Sequence, residues 1–203
     1  MKNSIKTIAV LFLTIFAISC SKDDDPAPPE SNILEYTVNA ESIANGTSPT
    51  NKCFINLYDG LLYNKAEAIA NSNKVDFAYN YHGGGCSNCR FFENVTNMST
   101  RTGYVSSFST ITNSQIAATD ITAAEFDALK TSTDINILFT ANNITSLTGI
   151  ADVTNRITDV ATTIVFAFKD KNNKAGFFKI GNYVANVPDN DKAILTIEVK
   201  IIK

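Results

Sequence analysis

The sequence has no tryptophan, one histidine, four cysteines and no complete catalytic motif. The glycine patterns of dinucleotide-binding and P-loop proteins are missing, and so is the H-E-x-x-H pattern of zinc proteases. The G-x-S-x-G motif of serine esterases is missing too. Because the sequence contains no complete set of catalytic residues, we expect a protein that is not an enzyme, and we expect no cofactor.

Basic residues do not outnumber acidic ones. Lys and Arg total 17, Asp and Glu total 20, and the formal net charge is −3. Removal of an N-terminal segment that carries Lys2 and Lys6 would make the charge more negative. A nucleic-acid partner is therefore not expected, because binding nucleic acid needs a concentrated basic surface.

A long hydrophobic run occurs only near the N-terminus. Lys2 and Lys6 precede the apolar segment 7–19, which is too short to span a bilayer as a helix but fits the apolar core of a secretory signal. The sequence A-I-S-C that ends at Cys20 resembles a bacterial lipobox, with Ala17 where that pattern usually has Leu. This resemblance implies that residues 1–19 are removed as a signal peptide and that Cys20 is acylated.

Residues 20–32 combine an acidic run with prolines. Lys22 followed by the three aspartates 23–25 resembles the export signal of surface lipoproteins of Bacteroidota-type bacteria, which implies exposure on the outer face of the outer membrane. The prolines favour extended chain that cannot pack a core, and at about 3.1 Å per residue the segment reaches roughly 35 Å. We expect a tether that holds one β-rich domain, residues 33–203, to outer-membrane lipid.

The last third of the chain predicts an antiparallel meander. Apolar and polar residues alternate between Ala193 and Lys203, as in a strand with one buried face. Two β-branched and aromatic runs, Thr163–Asp170 and Lys174–Ala185, precede it and are separated by K-N-N, which favours a tight hairpin turn. Three consecutive strands are therefore expected.

Upstream patterns are more varied. Strands are predicted over Lys52–Tyr63, Lys74–His82 and Asp134–Ala141. Alanines between the first two strands favour a short helix, and the capping box Thr122-Ala-Ala-Glu125 predicts another. The fold class expected is mainly β, with antiparallel sandwich-like sheets and one or two short helices. Apolar residues recur at a spacing that leaves helix and strand both open: Leu147, Ile150, Val153, Ile157 and Val160.

Two blocks, 53–82 and 163–203, resemble the opening and closing blocks of HmuY-like lipoproteins. The matching features are Gly60 in a turn, Asp76-Phe77-Ala78, the run from Gly176 to Ile180 and the final strand from Ile194 to Ile202. The resemblance implies a mostly β, surface-anchored domain that captures a ligand. It does not carry over haem binding, because the paired His or Met ligands of that family come from the middle of the chain, where this sequence has only Met98.

The stretch H-G-G-G-C-S-N-C, residues 82–89, is the one place where ligand-type residues gather. His82, Cys86, Cys89 and Cys53 could hold zinc, although only one half of the site has the usual C-x-x-C spacing. A c-type haem would need a histidine where Arg90 stands. A thioredoxin-like centre would need the cysteine pair at the start of a helix.

A structural use of these cysteines is the main alternative. Thiols oxidise outside the cytoplasm, so Cys86 with Cys89, or Cys53 with either, could form a disulfide. One thiol is left over in every pairing. The sequence therefore predicts a surface lipoprotein that binds a small extracellular ligand or a partner protein of the outer membrane, with haem or zinc capture at His82, Cys86 and Cys89 as the alternative.

Overall fold

The computed structural model describes residues 31–44, 50–82, 89–99, 106–152, 165–184 and 193–203. Within these ranges the chain from Ser31 onwards belongs to one compact unit. The predicted signal peptide, Cys20 and most of the tether lie outside the described residues. The segments follow one another as β1 (Ile33–Glu41), β2 (Ile43–Ala44), β3 (Phe54–Asn56), β4 (Leu61–Tyr63), α1 (Lys65–Ala70), β5 (Phe77–His82), β6 (Cys89–Asn94), α2 (Val95–Ser99), β7 (Gln115–Ala118), α3 (Ala123–Ala128), α4 (Ser132–Ala141), β8 (Ile150–Asp152), β9 (Val165–Lys169), β10 (Ala175–Val184) and β11 (Ile194–Ile202).

The strands form two sheets. Sheet A has the order β1-β11-β10-β9-β7, and all its pairs are antiparallel. Sheet B has the order β4-β3-β5-β6-β8, and the short β2 adds to β5 in parallel. The predicted mainly-β class with antiparallel sheets is confirmed.

The predicted C-terminal meander is also confirmed. Strands β9, β10 and β11 are neighbours in sheet A, and the β9–β10 turn contains Asn173 at φ 64°. The alternation in β11 has the expected effect on one face, where Leu195, Ile197 and Val199 are fully buried. The other face differs from expectation, because Lys200 is buried as well. Its Nζ donates to the carbonyl of Leu129, just after α3, at 2.9 Å.

The main core lies between the two sheets and is aromatic at its centre. Phe92 of sheet B packs edge-on against Phe178 of sheet A, with ring centroids 4.9 Å apart. Phe178 also stacks on Phe166 at 5.0 Å. Burying a phenylalanine side chain contributes about 1.5–3 kcal/mol, so this cluster is a large part of what holds the sheets together.

One side of the sandwich is closed by a segment that belongs to both sheets. Thr148 exchanges two backbone hydrogen bonds with Ile116 of β7, at 2.7 and 2.9 Å. Two residues later the same chain becomes β8 and pairs with β6 in sheet B. Of the stretch whose structure was left open by its sequence, Ile150 lies in a strand, whereas Val153, Ile157 and Val160 lie outside the described residues.

Helices cover the outer faces of both sheets. The two predicted helices are present as α1 and α3, each with a complete capping box, Asn64 with Glu67 and Thr122 with Glu125. The described residues contain four α-helices, which is more than the one or two predicted.

The predicted strand over Asp134–Ala141 is wrong, because these residues form most of helix α4. Thr131 caps the helix by accepting a hydrogen bond from the backbone N–H of Asp134 at 3.2 Å. Ile135 is buried, and Leu138 and Phe139 pack beside it, at the i, i+3, i+4 spacing of one helix face. The β-branched composition suggested a strand, but the cap and this spacing specify a helix.

Two further differences concern sheet B. The predicted strand Lys52–Tyr63 is a hairpin, in which β3 and β4 are separated by a turn that ends at Gly60 with φ 65°. One face of the segment that contains β5 is polar in sequence but buried in the fold, since Asp76 has no exposed surface and Asn80 is 3% exposed. Helices α1 and α2 and Phe108 cover this side of the sheet.

Candidate functional site

The ends of the sandwich differ in what the chain attaches to them. Ser31 precedes Ile33, which pairs with Ile202 at one end of sheet A. At the opposite end, Ile194 pairs with Glu41 on one side and with Val184 on the other. We call the first the tether end, because the predicted tether would precede Ser31, and the second the loop end.

The strands of sheet B can be assigned to the same two ends. Only Ser42 separates β1 from β2, so β2 and its partner residues Asn80 and Tyr81 lie at the loop end. The strand termini from which connecting segments leave at this end are Ala44, His82, Cys89, Val184 and Ile194. A fourth connection, residues 153–164, leaves β8 in the same direction, because Asp152 pairs with Phe91.

The predicted ligand-type stretch lies at the loop end. His82 is the last residue of β5 and Cys89 the first of β6, and the two are directly opposite each other in the antiparallel ladder. Cys86 lies in residues 83–88, outside the described ranges, and only the backbone of His82 and Cys89 is described. Cys89 begins a strand and not a helix, which differs from the helix-start position of thioredoxin-like centres.

Cys53, the fourth candidate ligand, lies in apolar surroundings. It is a free thiol, has no exposed surface and belongs to the cluster that contains Phe54, Val75 and Met98. Burial raises the pKa of the Cys53 thiol to about 12. Zinc binds the thiolate, so this environment disfavours Cys53 as a metal ligand. Among the described residues, no three His, Cys, Asp or Glu side chains are grouped closely enough to hold a metal ion.

A buried arginine lies next to the predicted stretch. Arg90 is 4% exposed, and its guanidinium lies 4.8 Å from the ring centre of Tyr183 in the other sheet. Nη2 of Arg90 also donates a hydrogen bond to the Tyr183 hydroxyl. This pair joins the two sheets at the loop end, immediately beside Cys89.

A β-bulge explains why Tyr183 can reach Arg90. Ile180 pairs with Ile197 and Asn182 with Thr196, so Gly181 is an extra residue in β10. Without that residue the two-residue alternation would turn Tyr183 to the outer face of sheet A. With it, Tyr183 lies opposite the buried Leu195 and faces sheet B.

A second polar pair is buried on the outer face of sheet B. Asn80 donates through Nδ2 to Oε2 of Glu93 at 2.6 Å, and Glu93 is 1% exposed. Sequence reasoning missed both Arg90 and Glu93 as buried groups. The available signal was the aromatic run R-F-F-E-N-V, in which charged residues flank buried ones.

The loop end also has an exposed apolar pair. Val184 and Ile194 are cross-strand neighbours, and they are 51% and 36% exposed. Neighbouring exposed aliphatic side chains beside connecting loops are candidates for a binding surface, whereas isolated ones are ordinary. Together with the partly exposed Tyr183, they give this end apolar and aromatic character.

The buried carboxylate of Asp76 belongs to the tether end. Its Oδ1 accepts from Ser114 Oγ at 2.7 Å and from the N–H of Lys171 at 3.0 Å, and its Oδ2 accepts from the N–H of Leu57 at 2.8 Å. Burial raises the pKa of the Asp76 carboxyl, although Lys171 and the hydrogen bonds lower it. Since three loops meet on this one side chain, its role is structural.

No helix in the described residues is both long and apolar enough to cross a membrane. Comparison with protein-family models, with curated proteins and with solved structures finds no match for this chain.

Proposed function

We propose that the chain is a non-enzymatic lipoprotein of the outer membrane, anchored through acylated Cys20 and exposed at the cell surface, which binds an extracellular ligand or a partner protein at its loop end. The observation that carries this proposal is the opposite placement of Ser31 and the Val184–Ile194 pair. A domain held at one end presents its other end to the surroundings.

The start of the domain is well fixed, which suits a load-bearing tether. Nζ of Lys203 donates to the Ser31 carbonyl at 2.7 Å, and the N–H of Ser132 donates to Oδ1 of Asn32 at 2.7 Å. The nine residues of β1 then pair without interruption with β11. A pull on the tether is therefore distributed over a ladder of hydrogen bonds.

The described charged groups support a binding protein more than an enzyme. Asp76 fixes loops, Lys200 donates to the Leu129 carbonyl just after α3, and Lys179 pairs with Asp127 at 2.7 Å. Each of these side chains already has a structural partner, and none of them lies at the loop end. The loop end has the exposed apolar pair and connecting segments, and its arginine, Arg90, is buried against Tyr183. Sandwiches that recognise ligands through loops are built in this way.

Photo-crosslinking on intact cells tests the binding surface. A photoreactive residue at Val184 should give a discrete adduct with a cell-surface or extracellular component. The control is the same residue at Ile137, which is 60% exposed but lies on α4, whose first residue is bonded to Asn32. Adducts of equal yield at both positions, or none at either, would contradict the proposal.

Anchoring is tested separately with Cys20→Ala. We expect the wild-type chain to carry acyl groups by mass spectrometry and to be cleaved when intact cells are treated with protease. The variant should lose both properties. A wild-type chain with an unmodified Cys20 would overturn this part of the proposal. The binding surface would then still be tested by the photo-crosslinking experiment.

The second candidate function is capture of haem or zinc by His82, Cys86 and Cys89. It is favoured by the direct pairing of His82 with Cys89, which brings the two ends of residues 83–88 together. Titration of the purified chain with haemin and with zinc tests it. A Soret shift or stoichiometric zinc that is lost in His82→Ala would favour this function over the leading one.

A further inference from the structure

Sheet A has one long edge that is open from Leu34 to Ala40 within the described residues, since the hydroxyl of Ser31 bonds to the backbone of Ile33 at one end and Lys52 bonds to Glu41 at the other. At its β7 side the edge is paired with Thr148. At its β1 side the edge is nine residues long, pairs with β11 without a bulge, and contains no proline or lysine. Natural proteins usually protect such edges with prolines, lysines, bulges or short strands, because an open edge pairs with another strand.

The direction of the free groups on β1 follows from three hydrogen bonds. The N–H of Lys203 donates to the Asn32 carbonyl at 3.0 Å, and the N–H of Ser42 donates to Ala193 at 2.8 Å. Backbone bonding to β11 alternates along an antiparallel ladder. The backbone N–H and C=O groups of the even-numbered residues of β1 therefore point toward β11. The backbone groups of the odd-numbered residues point away from β11, as the bond from the N–H of Glu41 to the Lys52 carbonyl demonstrates.

Among the described residues, three therefore present backbone groups along this edge that have no partner: Glu35, Thr37 and Asn39. Their side chains are exposed on the outer face of sheet A. Beside the edge lies Leu61 at the start of β4, 47% exposed, next to Gly60, which packs against the ring of Tyr36. The edge thus combines open hydrogen-bonding groups with exposed apolar surface.

We propose that β1 pairs antiparallel with β1 of a second copy of this chain, centred on Thr37. The sequence I-L-E-Y-T-V-N-A-E is complementary to itself in this register. Thr37 lies opposite Thr37 of the second copy, Glu35 lies opposite Asn39, and both pairs use the outward backbone groups. No two glutamates are opposite each other.

The side chains on the core-facing side of β1 are also complementary to those of the second copy in this register. Tyr36 lies opposite Val38 and Leu34 opposite Ala40 of the second copy, so apolar residues meet on the side of the core. Aromatic and β-branched residues form favourable cross-strand pairs. An antiparallel register centred on Glu35 would place Glu35 opposite itself, and one centred on Val38 would place Glu35 opposite Glu41. A parallel in-register pair would bring glutamates together at both positions.

The pairing is compatible with anchoring, if the tether proposed above exists. The two copies run in opposite directions, so their Ser31 residues lie at opposite ends of the joined strands. A nine-residue strand is about 30 Å long at roughly 3.3 Å per residue, and each tether reaches roughly 35 Å. Both tethers can therefore reach one membrane, where confinement raises the effective concentration of the partner edge.

Site-specific cross-linking of the full chain tests the pairing. Thr37→Cys should give a covalent dimer with a short bis-maleimide, because the two thiols lie side by side at the centre of the pair. Asn182→Cys is the matched control, since it is exposed on the same face of sheet A but two strands away from the edge. Absence of a dimer for Thr37→Cys, or equal yields for both variants, would overturn the proposal.

A charge variant provides the second test. Thr37→Glu places two carboxylates opposite each other and should weaken self-association several-fold in analytical ultracentrifugation, more strongly at low salt. Asn182→Glu adds the same charge and should leave association unchanged. A wild-type chain that is monomeric at every concentration, or two variants that behave alike, would refute pairing through β1 while leaving the binding proposal for the loop end untouched.

Discussion

The carboxylate of Asp76 accepts a hydrogen bond from the hydroxyl of Ser114 at 2.7 Å, and this contact joins the start of β5 in sheet B to the start of β7 in sheet A. The same oxygen accepts from the N–H of Lys171 in the β9–β10 turn. One side chain therefore fixes the relative position of both sheets at the tether end.

Asp76→Asn should destabilise the fold, most strongly in acid. The variant replaces one carboxyl oxygen by an amide N–H₂, which only donates and so opposes one of the three donors, whereas the hydroxyl oxygen of a protonated carboxyl can still accept. Leaving a buried polar group unsatisfied costs about 1–3 kcal/mol. Burial raises the pKa of Asp76 in the folded state, so its contribution to stability is present below the unfolded-state pKa and is lost as the pH rises through the folded-state pKa.

Urea unfolding at about pH 4 and pH 8 measures this effect. The difference between the free energies of unfolding of the wild type and the variant should shrink toward pH 8. A difference that grows with pH would mean that hydrogen bonds to the carboxylate outweigh its burial.

Tyr183→Phe should lower the free energy of unfolding by about 1–2 kcal/mol, because it removes the hydroxyl that accepts from Arg90. Tyr36→Phe is the control. The Tyr36 hydroxyl is buried and has no hydrogen-bond partner among the described residues, so its removal should not destabilise the protein. Equal losses for the two variants in chemical denaturation would contradict a specific role for the Arg90 contact.

Cys53 should resist alkylation until the protein unfolds. Its thiol is fully buried, and a pKa of about 12 leaves almost no thiolate at neutral pH. Iodoacetamide labelling followed by peptide mass spectrometry should detect modified Cys53 only in denaturant. The same experiment reports whether Cys86 and Cys89 are protected as a disulfide, which stays a prediction from the sequence.

Thr131→Ala should destabilise the protein by about 0.5–2 kcal/mol through loss of the cap of α4. Thr133→Ala, one residue into the first turn and exposed, is the matched control and should change stability little. If both substitutions had the same small effect in thermal unfolding, the cap would not be what defines the start of this helix.

Local signals predicted the parts of the fold that depend on neighbours in sequence. Alternation identified β11, the K-N-N spacer identified the β9–β10 turn, and the box Thr122–Glu125 identified α3. Helix α4 was predicted as a strand because residue composition was weighed above the equally local pair Thr131 and Asp134.

Features of the candidate site that depend on both sheets could not be read in this way. Arg90 is 93 residues from Tyr183 in sequence, and their contact requires the bulge at Gly181. The sequence pattern of β10 does not predict this bulge. The burial of Asn80 and Asp76 likewise depends on helices and loops that cover sheet B from elsewhere in the chain. The stretch at residues 82–89 was found by its residue types, but the position of His82 and Cys89 at the end of the sandwich opposite Ser31 follows only from the strand directions.

The pairing of β1 with β11 has a consequence for how the chain matures. Within the described residues the only sheet neighbour of β1 is β11, in which Ile202 pairs with Ile33, so the hydrogen bonds of β1 cannot form until residues 194–202 are available. Removal of those residues would leave β1 without this partner. Pairing between segments so far apart in sequence slows folding, because the intervening chain must first be closed into a loop.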